Sequence, residues 1–299
     1  MLLKDFLPHQ GLQEYVKCYR IVHFSFEKGV TPPSKPYTPR PENCLVFYPH
    51  DTERVEYADG KKKISHLPIA LVGQHLAVTN RFIGTHFLGI QIIFQPGALY
   101  RLTGIPLVEL NNEYLEADLV FAKDIQFVNE QFHYAKTYMD MVVIANQFVA
   151  QLVKKVVKDK HPIDEVSKLM LYKDAAISLD WLARESCLSV KQFERNFKDR
   201  TGVNPKLFSR LIRFDNAFRT KNAQPDLDWL SVAIDCNYYD YQHLVRDYKD
   251  FTGFSPKQFH QLDTPEGALG MKEQFYEIET YDLKKRSNNP YFTEGVLQK

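Results

Sequence analysis

Up to about residue 95, apolar and polar residues alternate in short runs broken by turn formers, which is the signature of β-strands. The run Tyr19–Phe26 is rich in β-branched and aromatic residues, and further strands are predicted over Cys44–Tyr48, Arg54–Tyr57, Ile69–Val72 and His86–Phe94. Ala58-Asp59-Gly60-Lys61 reads as a turn, and Gln95-Pro96-Gly97 stops the last strand. The proline-dense stretch Thr31–Pro41 is too broken for a helix or a central strand. Many short strands with frequent turns predict a small β-barrel or sandwich.

From Ala98 onward the apolar spacing turns helical, and Tyr134–Lys158 is the longest amphipathic stretch. Val142, Ala145, Val149, Leu152 and Val156 follow a heptad, with Met141, Ile144 and Phe148 widening the stripe. Such a stripe either packs on its own barrel or forms a homodimer seam, which would bring two copies together. His161-Pro162 marks a short hinge. Beyond Leu262, Thr264-Pro-Glu-Gly and Lys284–Pro290 are polar and loop-like, with Phe275–Tyr281 a short strand candidate in a flexible extension or packing flap.

Between residues 178 and 262 one pattern is written twice. Phe193-x-Arg195-x-Phe197-Lys198-Asp199-x-Thr201-Gly202-x-x-Pro205-Lys206-x-Phe208 is matched by Leu244-x-Arg246-x-Tyr248-Lys249-Asp250-x-Thr252-Gly253-x-x-Pro256-Lys257-x-Phe259. A shorter helix precedes each copy, opened by Ser178 or Asp228, whose side-chain oxygens suit an N-cap. Two short helices joined by a tight turn, repeated, predict a pair of helix-turn-helix units. Phe193 and Phe197, or Leu244 and Tyr248, lie four apart and share a buried face. Arg195 and Arg246 then point the other way, flanked by Lys191, Gln192 and Glu194 in one unit and by Tyr241, Gln242, His243 and Val245 in the other. An outward arginine in this setting can bind guanine edges in the major groove. The spacer Asn204–Asn222 carries Lys206, Arg210, Arg213, Arg219 and Lys221 against Asp215. As a helix it would be about 28 Å long, near the roughly 34 Å turn of duplex DNA.

Residues from about 160 to 262 resemble the DNA-binding domain of AraC/XylS-type transcriptional regulators. The resemblance is carried by Leu182-Ala183-x-x-x-x-Leu188-Ser189-x-x-x-Phe193-x-Arg195-x-Phe197-Lys198, by Thr201-Gly202, and by Phe251-Thr-Gly-Phe-Ser-Pro-Lys-Gln-Phe259. It implies that the second helix of each unit enters the major groove. Lys191, Glu194 and Arg195 match base-contacting positions in the first unit, as do Tyr241, Gln242 and Arg246 in the second; Gln192 is counted with them. Ser189, Lys198, Arg210 and Lys249 are expected on phosphate. Cys187 and Asn237 stand where glycine is usual in the turn, and asparagine tolerates the left-handed conformation better than cysteine. Glu194 can accept from cytosine N4 but repels phosphate if misplaced.

The front half resembles the cupin-like barrel-plus-helix sensor domains that accompany such DNA-binding domains, through Arg40–Phe47 and Ile92–Ala98. The expected fold is therefore α+β in two domains: residues 1–160 a β-barrel or sandwich followed by helices, and 161–262 all-α, with two helix-turn-helix units on a linker helix. Residues 263–299 form a C-terminal extension. The function implied is sequence-specific regulation of transcription in the cytoplasm. Double-stranded DNA, RNA polymerase, a second copy of the chain and a small-molecule effector are its implied partners.

Composition narrows this little. Formal net charge is +1, so a nucleic-acid role rests on local basic bias. No apolar run reaches membrane-spanning length, and Met1-Leu-Leu-Lys-Asp lacks a secretory layout. Cys18, Cys44, Cys187 and Cys236 are scattered, as expected of reduced thiols. A metal-dependent barrel enzyme is the alternative, but the ten histidines include no His-x-His pair, and His23, His66, His75 and His86 stand apart in sequence. Neither a nucleophile elbow nor a phosphate-binding loop is present. No catalytic, metal or cofactor residues are expected.

Overall fold

A computed structural model of the chain describes residues 2–27, 29–32, 34–57, 60, 62–172 and 177–262. Among the described residues there are ten strands, nine of them ahead of the first α-helix: β1 Leu2–Phe6, β2 Val16–Ser25, β3 Lys35–Tyr37, β4 Cys44–Phe47, β5 Arg54–Tyr57, β6 Lys63–Ser65, β7 Ile69–Val72, β8 Thr79–Phe82, β9 His86–Phe94 and β10 Tyr114–Glu116. They pair antiparallel into a six-stranded sheet ordered β1-β2-β9-β4-β7-β10 and a four-stranded sheet ordered β3-β8-β5-β6. The bounds of β5, β7 and β9 are those predicted. The proline-rich stretch does hold a strand, β3, but it lies at a sheet edge, where Pro36 need not donate to a ladder. Of the turn expected at 58–61, only Gly60 is described, and it has positive φ. The expected features of the tail fall outside the described residues.

Alternation along the strands of the large sheet sorts side chains between two cores. Leu45, Phe47, Ile69, Leu71, Ile90 and Ile92 face a helical layer. Val46, Ala70, Val72, Phe24 and Phe87 face inward, toward Val55 of the small sheet. The space between the sheets also holds a polar network. Glu53 accepts from the Tyr48 hydroxyl and pairs with Arg81, which bonds the Tyr114 hydroxyl and lies over the Tyr37 ring. His75 sits among Tyr57, Tyr114 and this arginine; burial, then the charges of Arg81 and Lys62, push its pKa down to about 3, so the ring stays neutral.

The helical layer consists of α1 Ala98–Thr103, α2 Ile125–Tyr134 and α3 Tyr138–Val153. The amphipathic stretch expected over Tyr134–Lys158 is, past Tyr134, helical only over α3, because Thr137 and Asp140 form a reciprocal capping box that starts it afresh after α2, and it ends at Val153. The region after Ala98 is not wholly helical either: Tyr114–Glu116 pairs with β7. The dimer seam needs correction. Val142, Ala145 and Val149 are buried in the chain's own barrel core, and Leu152 and Val156 pack against it. Their apolar stripe is occupied within the chain, so a second copy would have to use another surface.

Seven helices follow: α4 Pro162–Tyr172, α5 Leu179–Glu185, α6 Val190–Thr201, α7 Pro205–Ala223, α8 Trp229–Asp235, α9 Tyr241–Thr252 and α10 Pro256–Leu262. Pro162 opens α4, so the expected hinge lies at a helix start. Their core takes in Val78 from the front half, with Leu76 packed against it, and the Val78 N–H donates to the Phe251 carbonyl at 3.2 Å. Asn111 Nδ2 likewise donates to the Gly202 carbonyl at 2.7 Å. The front half therefore touches both helix-turn-helix units. Glu42 anchors a buried ionic cluster at this junction, 3.0 Å from Arg20, 3.1 Å from Lys17 and 4.0 Å from Arg219 of α7. Arg40 adds a contact to Asp215 of α7 at 3.8 Å. Among the described residues, no helix is long and apolar enough to cross a membrane.

Candidate nucleic-acid interface

Both units are built by the same local chemistry. The Ser178 side chain accepts from the Trp181 N–H, and Asp228 accepts from the N–H groups of Leu230 and Ser231, starting α5 and α8 as expected. Leu182 and Ala183, or Val232 and Ala233, are buried where the second helix crosses. The turn residues Cys187 and Asn237 adopt φ of 54° and 60°. Ser189 and Asp240 cap α6 and α9. Each of those helices ends on a threonine whose hydroxyl donates back to a carbonyl, Thr201 to Phe197 and Thr252 to Tyr248. A glycine in the left-handed conformation follows, Gly202 or Gly253. At Gly202 a Cβ would also lie 2.8 Å from the Asn111 side-chain oxygen, so a larger residue would push Asn111 aside as well as strain the backbone.

Cys187 is exposed and carries a side chain in a conformation that costs of order 1–3 kcal/mol for most non-glycine residues. Cys187→Gly should therefore stabilise the chain, by about 0.5–1 kcal/mol once glycine's extra unfolded entropy is counted. Urea unfolding checks this. A lower midpoint in the variant would show that the turn is not strained.

Phe193, Phe197, Leu244 and Tyr248 are buried, while Lys191, Gln192, Glu194, Arg195, Gln242 and Arg246 are exposed and Tyr241 is half-buried. Among the described residues, neither Arg195 nor Arg246 has a carboxylate within ion-pair distance. Gln192 is less free than its exposure implies, because its Oε1 accepts from the Ser189 N–H and hydroxyl in a capping box. Ser189 is accordingly a helix cap first. Lys198 and Lys249 are exposed on the same helices as the two arginines.

The basic character expected of the spacer is mostly turned inward. The spacer is one helix, α7, of 19 residues. Its Arg210 bonds Asp247 at 2.8 Å and also pairs with Asp250, which corrects its placement on phosphate. Burial alone would lower the Arg210 pKa; bonds to the two aspartates outweigh it and hold the group above its ordinary value. Arg219 is paired with Asp215, Lys221 donates to the Pro225 and Leu227 carbonyls, and Arg213 lies over the Tyr238 ring. Lys206 stays exposed. The Arg210 and Arg213 contacts join α7 to the second unit, and both arginines line a cleft of about 640 Å³ between α5, α7 and α9, with Lys206, His243 and Arg246 also on its walls.

For the metal alternative, no group of three or more His, Cys, Asp or Glu side chains among the described residues is arranged to hold a metal ion. His23 is not isolated, however. Its ring lies 6.3 Å from that of His50, which is 5.2 Å from His133. Sequence reasoning missed this group, since its members come from a strand, a loop and a helix far apart in the chain.

Residues 182–261 match a helix-turn-helix domain family, and residues 4–116 match a domain of unknown function, DUF6597. No curated protein matches the chain. Among solved structures it is similar to a ToxT variant from Vibrio cholerae strain SCE256, at 10% identity, with 82% of this chain and 98% of that chain covered and a TM-score of 0.45. ToxT from Vibrio cholerae O395 matches at 10% identity over 84% of this chain and 98% of that one, with a TM-score of 0.44. The AraC-like transcriptional activator CuxR matches at 16% identity over 70% and 84%, with a TM-score of 0.26. The chain thus carries a helix-turn-helix domain over residues 182–261, behind a domain of unknown function over residues 4–116.

Proposed function

We propose that the chain is a sequence-specific transcriptional regulator whose α6 and α9 each enter a major groove, with its N-terminal domain receiving a small-molecule signal. One observation supports the DNA role above the others. Two units with matching caps, turns and buried stripes each leave an arginine exposed on the face opposite the core. A purely structural repeat has no need of that outward pair. The N-terminal domain contacts both units, so a ligand that favoured one domain arrangement would change DNA affinity by its differential binding to the two states.

The test starts from the DNA site recovered by mapping where the protein sits on its chromosome. Arg195→Ala and Arg246→Ala should each weaken binding to it by about 1–3 kcal/mol and relax preference at one base position, as read by fluorescence anisotropy on a panel of single-base variants. Lys198→Ala should weaken all sequences alike and reduce the slope of affinity against salt by about one. An affinity that does not fall with added salt would contradict DNA binding altogether.

A further inference from the structure

A cavity of about 410 Å³ opens in the N-terminal domain between the end of α2, the start of α3 and the large sheet. Its floor is apolar: Leu88, Phe132 and Met141 belong to the barrel core and also line the opening. Its rim is cationic or protonatable, formed by His23, His50, His133 and Lys136, with Tyr138 beside them. Among the described residues, no aspartate or glutamate lines it. That combination of an apolar floor and a rim without negative charge is what an amphipathic anion requires.

The rim is held in place rather than loosely gathered. The His23 Nδ1 lies 2.9 Å from the Tyr138 hydroxyl, and the His133 Nδ1 lies 2.9 Å from the Pro49 carbonyl. A carbonyl can only accept, so the His133 Nδ1 carries a proton, and Nε2 becomes a second donor when the ring is protonated. His50 sits between the other two rings, edge-on to both. Burial, then His133 and His86, hold the His50 pKa below its ordinary value, against an opposing pull from Asp51. His23 is lowered by burial and by His50. Burial thus favours the neutral forms of His23 and His50, and an arriving anion would bring a proton to them. The three rings do not form a cation-holding group, which argues against a metal as the natural occupant.

We propose that this cavity binds a small monocarboxylate with an apolar body, its carboxylate on Lys136 and the imidazoles and its hydrocarbon on Leu88, Phe132 and Met141. This deepens the sensing role given to the N-terminal domain. Its test uses no DNA, so failure here and failure of operator binding are separate outcomes. Hexanoate and its neutral counterpart hexanamide are titrated into the full chain at pH 6, where an imidazole is readily protonated, with calorimetry and thermal unfolding as readouts. Hexanoate should bind and raise the melting temperature, while hexanamide binds at least tenfold more weakly. Lys136→Met and His50→Phe should each lower hexanoate affinity at least tenfold; Lys136 is exposed, so its variant is expected to fold normally. Equal binding of acid and amide, no binding of either up to millimolar concentration, or full affinity in both variants would overturn the proposal. Cobalt(II) binding with tetrahedral visible absorption that is lost in His50→Phe would overturn it in favour of a metal site.

Discussion

Replacing Glu42 with alanine is expected to cost the folded chain about 3–5 kcal/mol, because it strands Lys17 and Arg20 in a buried setting with one carboxylate fewer. The Glu42 side chain is 6% exposed and Arg20 equally so. Asp5, 2.8 Å from Arg20, would be left as its principal partner. Burial alone would raise the Glu42 pKa. The charges of Arg20, Lys17, Arg40 and Arg219 outweigh burial and hold it well below the carboxylate range. A carboxylate depressed in the folded state contributes fully above its unfolded pKa and loses that contribution as pH falls through the folded value. The cluster should hold undiminished at neutral pH and weaken only below about pH 4.3. Urea unfolding of wild type and Glu42→Ala at pH 7 measures the cost, and an unchanged midpoint would show that the cluster contributes nothing net.

The second large effect lies in the first helix-turn-helix unit. Phe197 is fully buried, with its ring centroid 5.4 Å from that of Phe193 and 5.5 Å from that of Phe208. Phe197→Ala should cost about 3–5 kcal/mol through lost burial and the cavity left behind. That is a large share of the 5–15 kcal/mol typical of a whole domain, so DNA affinity should fall with it. Arg195→Ala two positions away should leave the unfolding midpoint within about 0.5 kcal/mol, as exposed substitutions do, while still losing affinity. If both substitutions lowered stability equally, Arg195 would be a packing residue and its role in DNA reading would fail.

The helix-turn-helix region was legible because each of its signals is local. Caps, small crossing residues and stripes four apart occur within a few positions of one another, and they occur twice. Strands β5, β7 and β9 were legible for a related reason, as β-branched and aromatic runs bounded by turn formers. Lys63–Ser65 and Thr79–Phe82 were not, since they are short and half-polar and depend on their ladders to β5, which for Thr79–Phe82 lies more than twenty residues back. The heptad on α3 was legible only in part. A stripe such as Val142, Ala145 and Val149 announces that a face is buried, but says nothing of what buries it. The same limit applies to charge. Counting cations on the spacer cannot reveal that Arg210 meets Asp247 and Asp250, some forty residues on, or that Arg219 approaches Glu42 across the domain junction.

Val78, seated among the helices of the C-terminal half, has a practical consequence. A gene fragment beginning near His161 would encode the helix-turn-helix region with a gap where that side chain belongs, and with the Phe251 carbonyl deprived of its donor. Expressed alone, such a piece should be less soluble and melt earlier than the intact chain. Supplying the missing front half as a separate polypeptide should restore both properties. The two halves behave as interlocking parts of one object, not as beads on a string.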